Sequence, residues 1–229
     1  MMDHAHDLES VRDATERLLL AVGKLDNASV TEPSRLPGWT RGHVLAHLAR
    51  NADALVNVLD GRPMYVSGEA RDADIERDAP RPLDVHITDL RESAARFQET
   101  GAAPADWSRT VELRNGVTDS ASRVPFRRWV EMELHHVDLG IGYELEDLPA
   151  DFTEREIDFL ADRFAGHPGV PPTHVTDGTR AWRTGRESED GAEVTVTGSP
   201  AELLGWLAGR RDGSALTVDG APLPALPPL

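Results

Sequence analysis

Arg127-Arg128-Trp129-Val130-Glu131-Met132-Glu133-Leu134-His135-His136-Val137-Asp138-Leu139-Gly140 is the stretch on which the reading of the chain turns. No proline follows Pro125, and glycines arrive at Gly140 and Gly142, which predicts a helix over 125–143. At 100° per residue, Glu131, His135 and Asp138 fall within roughly 60° of one another. A carboxylate and an imidazole four residues apart on one helical face can grip the same divalent cation. The plain alternative is an exposed ion pair worth about 0.3–0.5 kcal/mol. Glu133 and His136 form a competing i, i+3 pair, pointing into the arc of Phe126, Trp129 and Val137. Periodicity leaves open which of the two faces is used.

The missing ligands have to come from elsewhere. Leu36-Pro37-Gly38-Trp39 is a turn signal, and Thr40 is placed to cap a helix that runs to about residue 60, before Gly61 and Pro63. On a wheel, Val44, Leu45, Leu48, Ala52, Leu55, Val58 and Leu59 make one broad apolar face. His47 lies inside that face with Asn51 nearby, and His43 lies at its edge beside Arg50 and Asn57. A buried histidine needs a partner for each ring nitrogen, and either a metal or a backbone carbonyl serves.

Composition narrows the classes. The 229 residues suit one large domain or a principal domain with a smaller one, and 39% hydrophobic with 28% charged residues is ordinary for a soluble protein. A formal charge of −16 repels nucleic acid and anionic membranes, so neither is expected as a partner. No run reaches membrane-spanning length, and Met1-Met2-Asp3-His4 lacks the start of a signal peptide, so the cytoplasm is the default location. The chain has no cysteine, which excludes disulfides, cysteine zinc sites and a thiol nucleophile of its own. Any thiol chemistry must bring its sulfur in on a partner molecule.

Around the two key helices, apolar spacing predicts helices over 5–26, 84–100 and 153–165. Residues 61–82, rich in Arg, Asp, Pro and Gly, read as a long loop with a short helix near 72–77. Residues 101–123 read as irregular, with an extended piece at 110–113. Gly166-His167-Pro168-Gly169 and Pro171-Pro172 mark a boundary. Beyond it, strands are predicted at 179–184, 193–197 and 215–218, a helix at 201–210 opened by Pro200, and a proline-rich tail from 222. The expected fold is α+β: a helical bundle over 1–166 and a small α/β domain over 167–229.

Leu36-Pro37-Gly38-Trp39-Thr40-Arg41-Gly42-His43-Val44-Leu45-Ala46-His47-Leu48-Ala49-Arg50-Asn51, taken with Glu131-x-Glu-x-His135-His136-Val137-Asp138-Leu139, resembles the mycothiol-dependent maleylpyruvate isomerase family. The resemblance continues through Gly178-Thr179, Ala181-Trp182 and Glu202-Leu203-Leu204-Gly205-Trp206-Leu207-Ala208-Gly209-Arg210. It implies a DinB-like four-helix bundle with a metal between helices, followed by a small α/β domain. It also implies His47, Glu131 and His135 as metal ligands.

Two histidines and a carboxylate are a common catalytic zinc set that leaves a position open. The implied cofactors are Zn2+, or another divalent metal, and mycothiol, the small thiol of actinobacteria, whose sulfur the metal would hold as thiolate. The implied reaction is cis–trans isomerisation of maleylpyruvate to fumarylpyruvate in gentisate breakdown. The thiolate adds to the electron-poor double bond, the resulting enolate rotates about a single bond, and the thiol is expelled. Arginines suit the carboxylates and the enolate. Arg210 matches the family's functional arginine, with a helix C-cap as its alternative reading. Arg71 and Arg77 are candidate carboxylate clamps, against a reading as solvated charges, and Asn51 is a candidate substrate contact. Asp138 is expected to orient His135. The rival functions are a mycothiol S-transferase acting on another electrophile and a binding module whose metal only ties helices together.

Overall fold

The computed structural model describes residues 4–103, 105–186 and 194–228. The chain divides into two compact units, Met1–Tyr143 and Glu144–Leu229. In the first, α1 (His4–Val22), the single turn α2 (Asn27–Val30), α3 (Arg41–Leu59), α4 (Gly68–Asp78) and α5 (Leu83–Ala102) precede a hairpin of β1 (Thr110–Glu112) and β2 (Thr118–Ser120) and then α6 (Val124–Asp138). The four long helices close a ring, α1 packing on α5 and α6, and α3 packing on α5 and α6. Their apolar stripes supply the core, with Leu18, Leu45, Leu48, Leu55, Phe97, Trp129 and Met132 fully buried. Burying each such side chain stabilises the fold by about 1.5–3 kcal/mol, so the face of α3 that carries His47 has to point inward.

The second helix starts where the sequence places it: Thr40 Oγ1 accepts from the backbone N–H of His43, and His43 Nδ1 accepts the Thr40 N–H in return. The predicted loop over 61–82 holds an eleven-residue helix, α4, capped by Ser67. The helix expected near 72–77 is thus four residues longer at its start; with only Ile75 and Asp78 buried, its first turn shows no apolar periodicity. Gly42 lets α4 dock: a Cβ there would meet the Ala79 carbonyl oxygen at 2.1 Å. The irregular region 101–123 contains the β1–β2 hairpin, registered Thr110↔Ser120 to Glu112↔Thr118. Asn115 turns it with φ of +60°, the one non-glycine residue among those described with positive φ. Asn-Gly is the strongest short hairpin signal, and Asn115-Gly116 carried it.

In the second unit, α7 (Ala150–Phe164) and α8 (Pro200–Leu207) accompany a four-stranded sheet of β3 (Thr173–Thr176), β4 (Ala181–Thr184), β5 (Val194–Thr197) and β6 (Thr217–Asp219). The strand order is β4-β3-β5-β6, with β3 and β5 parallel and the other pairs antiparallel. The central strand β3 was not foreseen: Thr173-His174-Val175-Thr176 is short and follows two prolines, and its two neighbours supply the ladder that its own sequence does not advertise. Glu193, the expected first residue of the strand at 193–197, lies outside the described residues. The boundary expected after 166 falls instead after Tyr143. The reason is α7, whose buried Phe152, Ile157, Leu160 and Phe164 pack with α8 and β4. No helix of the described residues is long and apolar enough to cross a membrane.

Candidate metal centre

Three hydrogen bonds tie the entry of α3 to the exit of α6. The Arg35 N–H donates to the Asp138 carbonyl (2.8 Å), and Arg41 donates from Nε to the Leu139 carbonyl (2.9 Å) and from Nη2 to that of Gly140 (3.3 Å). With the helices fixed there, His47 of α3 faces Glu131 and His135 of α6. His47 Nε2 lies 2.9 Å from Glu131 Oε2, and His135 Nε2 lies 3.1 Å from the same oxygen. The two imidazoles are nearly perpendicular, 4.7 Å apart at their centroids. One ligand atom from each of the three side chains lies within 4.8 Å of the others, and no other group of three such side chains among the described residues meets that geometry. Behind His135, Asp138 Oδ2 stands 2.9 Å from Nδ1, where a carboxylate fixes the ring and its tautomer.

The electrostatics follow from burial and mutual bonding. Burial pushes His47 down to about 4, although its bond to Glu131 resists this. Burial works to raise Glu131, but hydrogen bonds from His135 and His47 outweigh it and hold the carboxyl well below its usual range. Burial likewise works against a charged His135, and its bonds to Asp138 and Glu131 prevail, raising it above the ordinary histidine value. The cluster therefore keeps an ionised carboxylate between two imidazoles, the donor set that a divalent ion takes.

The competing face of α6 is closed. Glu133, 1% exposed, accepts from Trp129 Nε1 (2.9 Å), Tyr143 OH (2.8 Å) and the Arg17 guanidinium. His136 stacks on Tyr143 with centroids 4.1 Å apart. His43 is committed to capping α3, and its Nε2 lies 3.3 Å from Glu76.

The arginines separate. Arg71 of α4 reaches the cluster, Nη2 3.2 Å from His47 Nδ1, and stands 5.9 Å from the Tyr65 ring centroid. Arg77 does not reach it: its side chain is 58% exposed and bonds Asp78 and Asp74 on its own helix, as the solvated reading has it. Asn51 is buried one turn beyond His47, and its Oδ1 accepts from Arg128 at 2.8 Å rather than facing open space. Arg210, in the second unit, follows α8 with its N–H on the Gly205 carbonyl and Nη1 on that of Ala208 at 2.7 Å, which is the capping geometry.

Sequence reasoning missed Tyr65 and Arg128. Tyr65 lines a cavity of about 610 Å³ between residues 61–68 and the β1–β2 hairpin, together with Arg62, Met64, Arg109 and Arg114. Burial raises its phenol pKa, and the Glu131 carboxylate adds to the rise. Asn115-Gly116 was the available signal for the hairpin that walls this cavity.

A four-helix ring that brings two imidazoles and a carboxylate to one point, in a chain continuing into a small mixed-sheet unit, defines a helical-bundle protein with a candidate metal centre. Residues 11–140 match the family described as "Mycothiol maleylpyruvate isomerase N-terminal domain", and residues 147–228 match "MDMPI C-terminal domain". The chain belongs to the mycothiol maleylpyruvate isomerase family. Two solved structures, of "the mycothiol-dependent maleylpyruvate isomerase" and of a histidine-to-alanine variant of it, are 27% identical, with TM-scores of 0.86 and 0.87. In each comparison 97% of this chain and 96% of the other are covered. No curated protein matches the sequence.

Proposed function

We propose that this chain is a thiol-dependent cis–trans isomerase acting on maleylpyruvate, with mycothiol as the thiol and zinc held by His47, Glu131 and His135. The observation that carries the reading is the convergence of these three side chains on one point. Two solved relatives bearing that activity in their names support it. The donor set fits a divalent ion: two imidazole nitrogens, one carboxylate kept ionised, and a carboxylate behind one ring. With both groups bound, the metal would depress the thiol pKa and the thiolate would add reversibly to the electron-poor double bond, leaving a single bond free to rotate.

The chain's own residues do the rest. Asp138 holds the Nδ1 proton of His135 and so presents Nε2 toward the ion. Arg71 donates to His47 Nδ1, which keeps the His47 proton on Nε2 against Glu131. Ligation through Nε2 requires that proton to sit on Nδ1 instead, and an arginine has no acceptor for it. With an ion held at Nε2, Arg71 would have to give up this bond, and its guanidinium suits a substrate carboxylate. Arg210 is the candidate functional arginine of the second unit. Since the chain has no cysteine, the nucleophile comes with the small thiol.

The test is conversion of maleylpyruvate to fumarylpyruvate by purified protein, with and without mycothiol, before and after removal of metal. Both omissions should abolish turnover. Addition of the thiol without isomerisation would identify a transferase, and turnover by metal-free protein without thiol would defeat the reading.

A further inference from the structure

Arg128 is a buried cation with most of its bonding capacity unspent. It is 1% exposed, and Nη1 donates to the Leu48 carbonyl and to Asn51 Oδ1, both at 2.8 Å. Nε and Nη2 have no hydrogen-bond partner among the described residues. Burial lowers its pKa to about 10, so it stays charged at neutral pH. No carboxylate among the described residues forms an ion pair with it. Glu131, one turn further along α6, acts on it through space and is bonded to the two histidines. Asp53 also acts through space, but is held by Arg96 at 2.7 Å.

The unspent atoms are chemically specific. Nε–H and the adjacent Nη2–H form one edge of the guanidinium, the edge that takes a carboxylate side-on. Elsewhere in this molecule the same two atoms share one carboxylate oxygen: Arg96 donates to Asp53 Oδ1 from Nε at 3.0 Å and Nη2 at 2.7 Å, and Arg127 to Asp119 Oδ2 from Nε at 2.8 Å and Nη2 at 2.6 Å. Leaving a buried charge without its partner is costly and serves no packing purpose, since an apolar side chain of similar volume fills such a place as well or better. Tyr65 lines the 610 Å³ cavity and interacts electrostatically with both Arg128 and Glu131.

We propose that Arg128 is a substrate-binding residue: its unpartnered Nε/Nη2 edge, sealed from solvent here, receives a carboxylate of the electrophile in place of the side chains that now cover it. Asn51 is then a positioning residue, holding Nη1 so that the other edge faces the ligand. The inference deepens the isomerase reading and rests on it for the anionic character of the substrate.

The experiment is calorimetric titration of maleate, a simple dicarboxylate, into the full chain without thiol, for wild type, Arg128→Met, Arg128→Lys and Asn51→Leu. Arg128→Met should weaken maleate at least about tenfold, the scale of a charge-assisted hydrogen bond, with metal content unchanged and Tm unchanged or higher. Arg128→Lys, which keeps the charge and loses the fork, should fall between, and Asn51→Leu should weaken maleate as well. The dimethyl ester, which carries no charge, should not distinguish wild type from Arg128→Met. Maleate affinity unchanged in Arg128→Met overturns the proposal, and so does weakening that merely tracks loss of metal or of folded protein. If Arg128→Met does not fold, Arg128→Lys decides: unchanged affinity with full metal content overturns the assignment. Wild type that binds maleate through Arg128 yet does not isomerise maleylpyruvate sinks the isomerase reading alone. Full isomerisation by Arg128→Met sinks this one alone.

Discussion

The two faces of α6 carry the same kinds of side chain and have opposite characters. Glu131 is 31% exposed and shares one oxygen between two imidazoles, with no cationic side chain bonded to it. Glu133, three-tenths less exposed at 1%, is bonded by an arginine, an indole and a phenol. A carboxylate that already accepts from three donors has its lone pairs committed and offers an incoming ion little. A carboxylate between two imidazole nitrogens, whose protons an ion can displace, offers it a site. What separates a metal centre from a structural polar network is thus who the neighbours are, since residue type is shared.

The sharpest way to break that contrast is to exchange the fates of the two carboxylates. Glu131→Gln or His47→Ala should strip the metal and reduce thiol-dependent turnover by at least about 10³-fold, the scale seen when one member of a catalytic unit is removed. Metal analysis and the isomerisation assay read this together, and retained metal in both variants would end the three-ligand assignment. Glu133→Ala should do the converse. It leaves the buried Trp129 Nε1–H without its acceptor, which costs about 1–3 kcal/mol, and Arg17, 39% exposed, to water, visible as an earlier urea midpoint while metal content holds. A variant that lost metal as readily as stability would show the two faces to be one site.

Asp138→Asn should preserve the fold and weaken metal by about 10–100-fold, the usual effect of altering the carboxylate behind a ligating histidine, as measured by chelator competition. The smallest effect is spectroscopic. Tyr143 is pushed well above the ordinary tyrosine range by burial and by the Glu133 carboxylate, and Tyr65 is raised by burial and Glu131. For a raised folded-state pKa the contribution to stability is full below the unfolded value, about 10, and is lost as the pH climbs from there through the folded value. An alkaline titration followed by phenolate absorbance should therefore show neither tyrosine ionising near 10 while the protein is folded. Denaturation should become easier above that pH, and a phenolate step at 10 in the native protein would contradict the closed face.

Much of this was legible beforehand. The caps and periods of α3 and α6 were, because Thr40, the glycine stop at Gly140 and the apolar spacing act over a few residues. His47 could be placed on a buried face, since helical phase follows from the spacing of the apolar residues. The choice between Glu131 and Glu133 could not be made that way: it depends on Arg17 and Tyr143, which approach from other parts of the chain. Helix α4 was expected only as a short piece near 72–77, because it is polar on most sides; that Arg71 approaches His47 could not be read from spacing. Arg128 next to Arg127 reads as one of two equivalent charges. Only packing gives Arg127 the carboxylate of Asp119 and leaves the Nε/Nη2 edge of Arg128 buried without a hydrogen-bond partner among the described residues.

By itself the sequence determined the helical bundle, the ligand-bearing helices and the absence of any thiol from the chain, because each is a property of residue identity or of spacing within one helix. The tertiary structure decided which carboxylate is free to receive an ion, which arginines are spent and where the chain divides. Those outcomes depend on groups brought together across tens of residues, and the burial that makes a charge costly or useful exists only once the chain has packed.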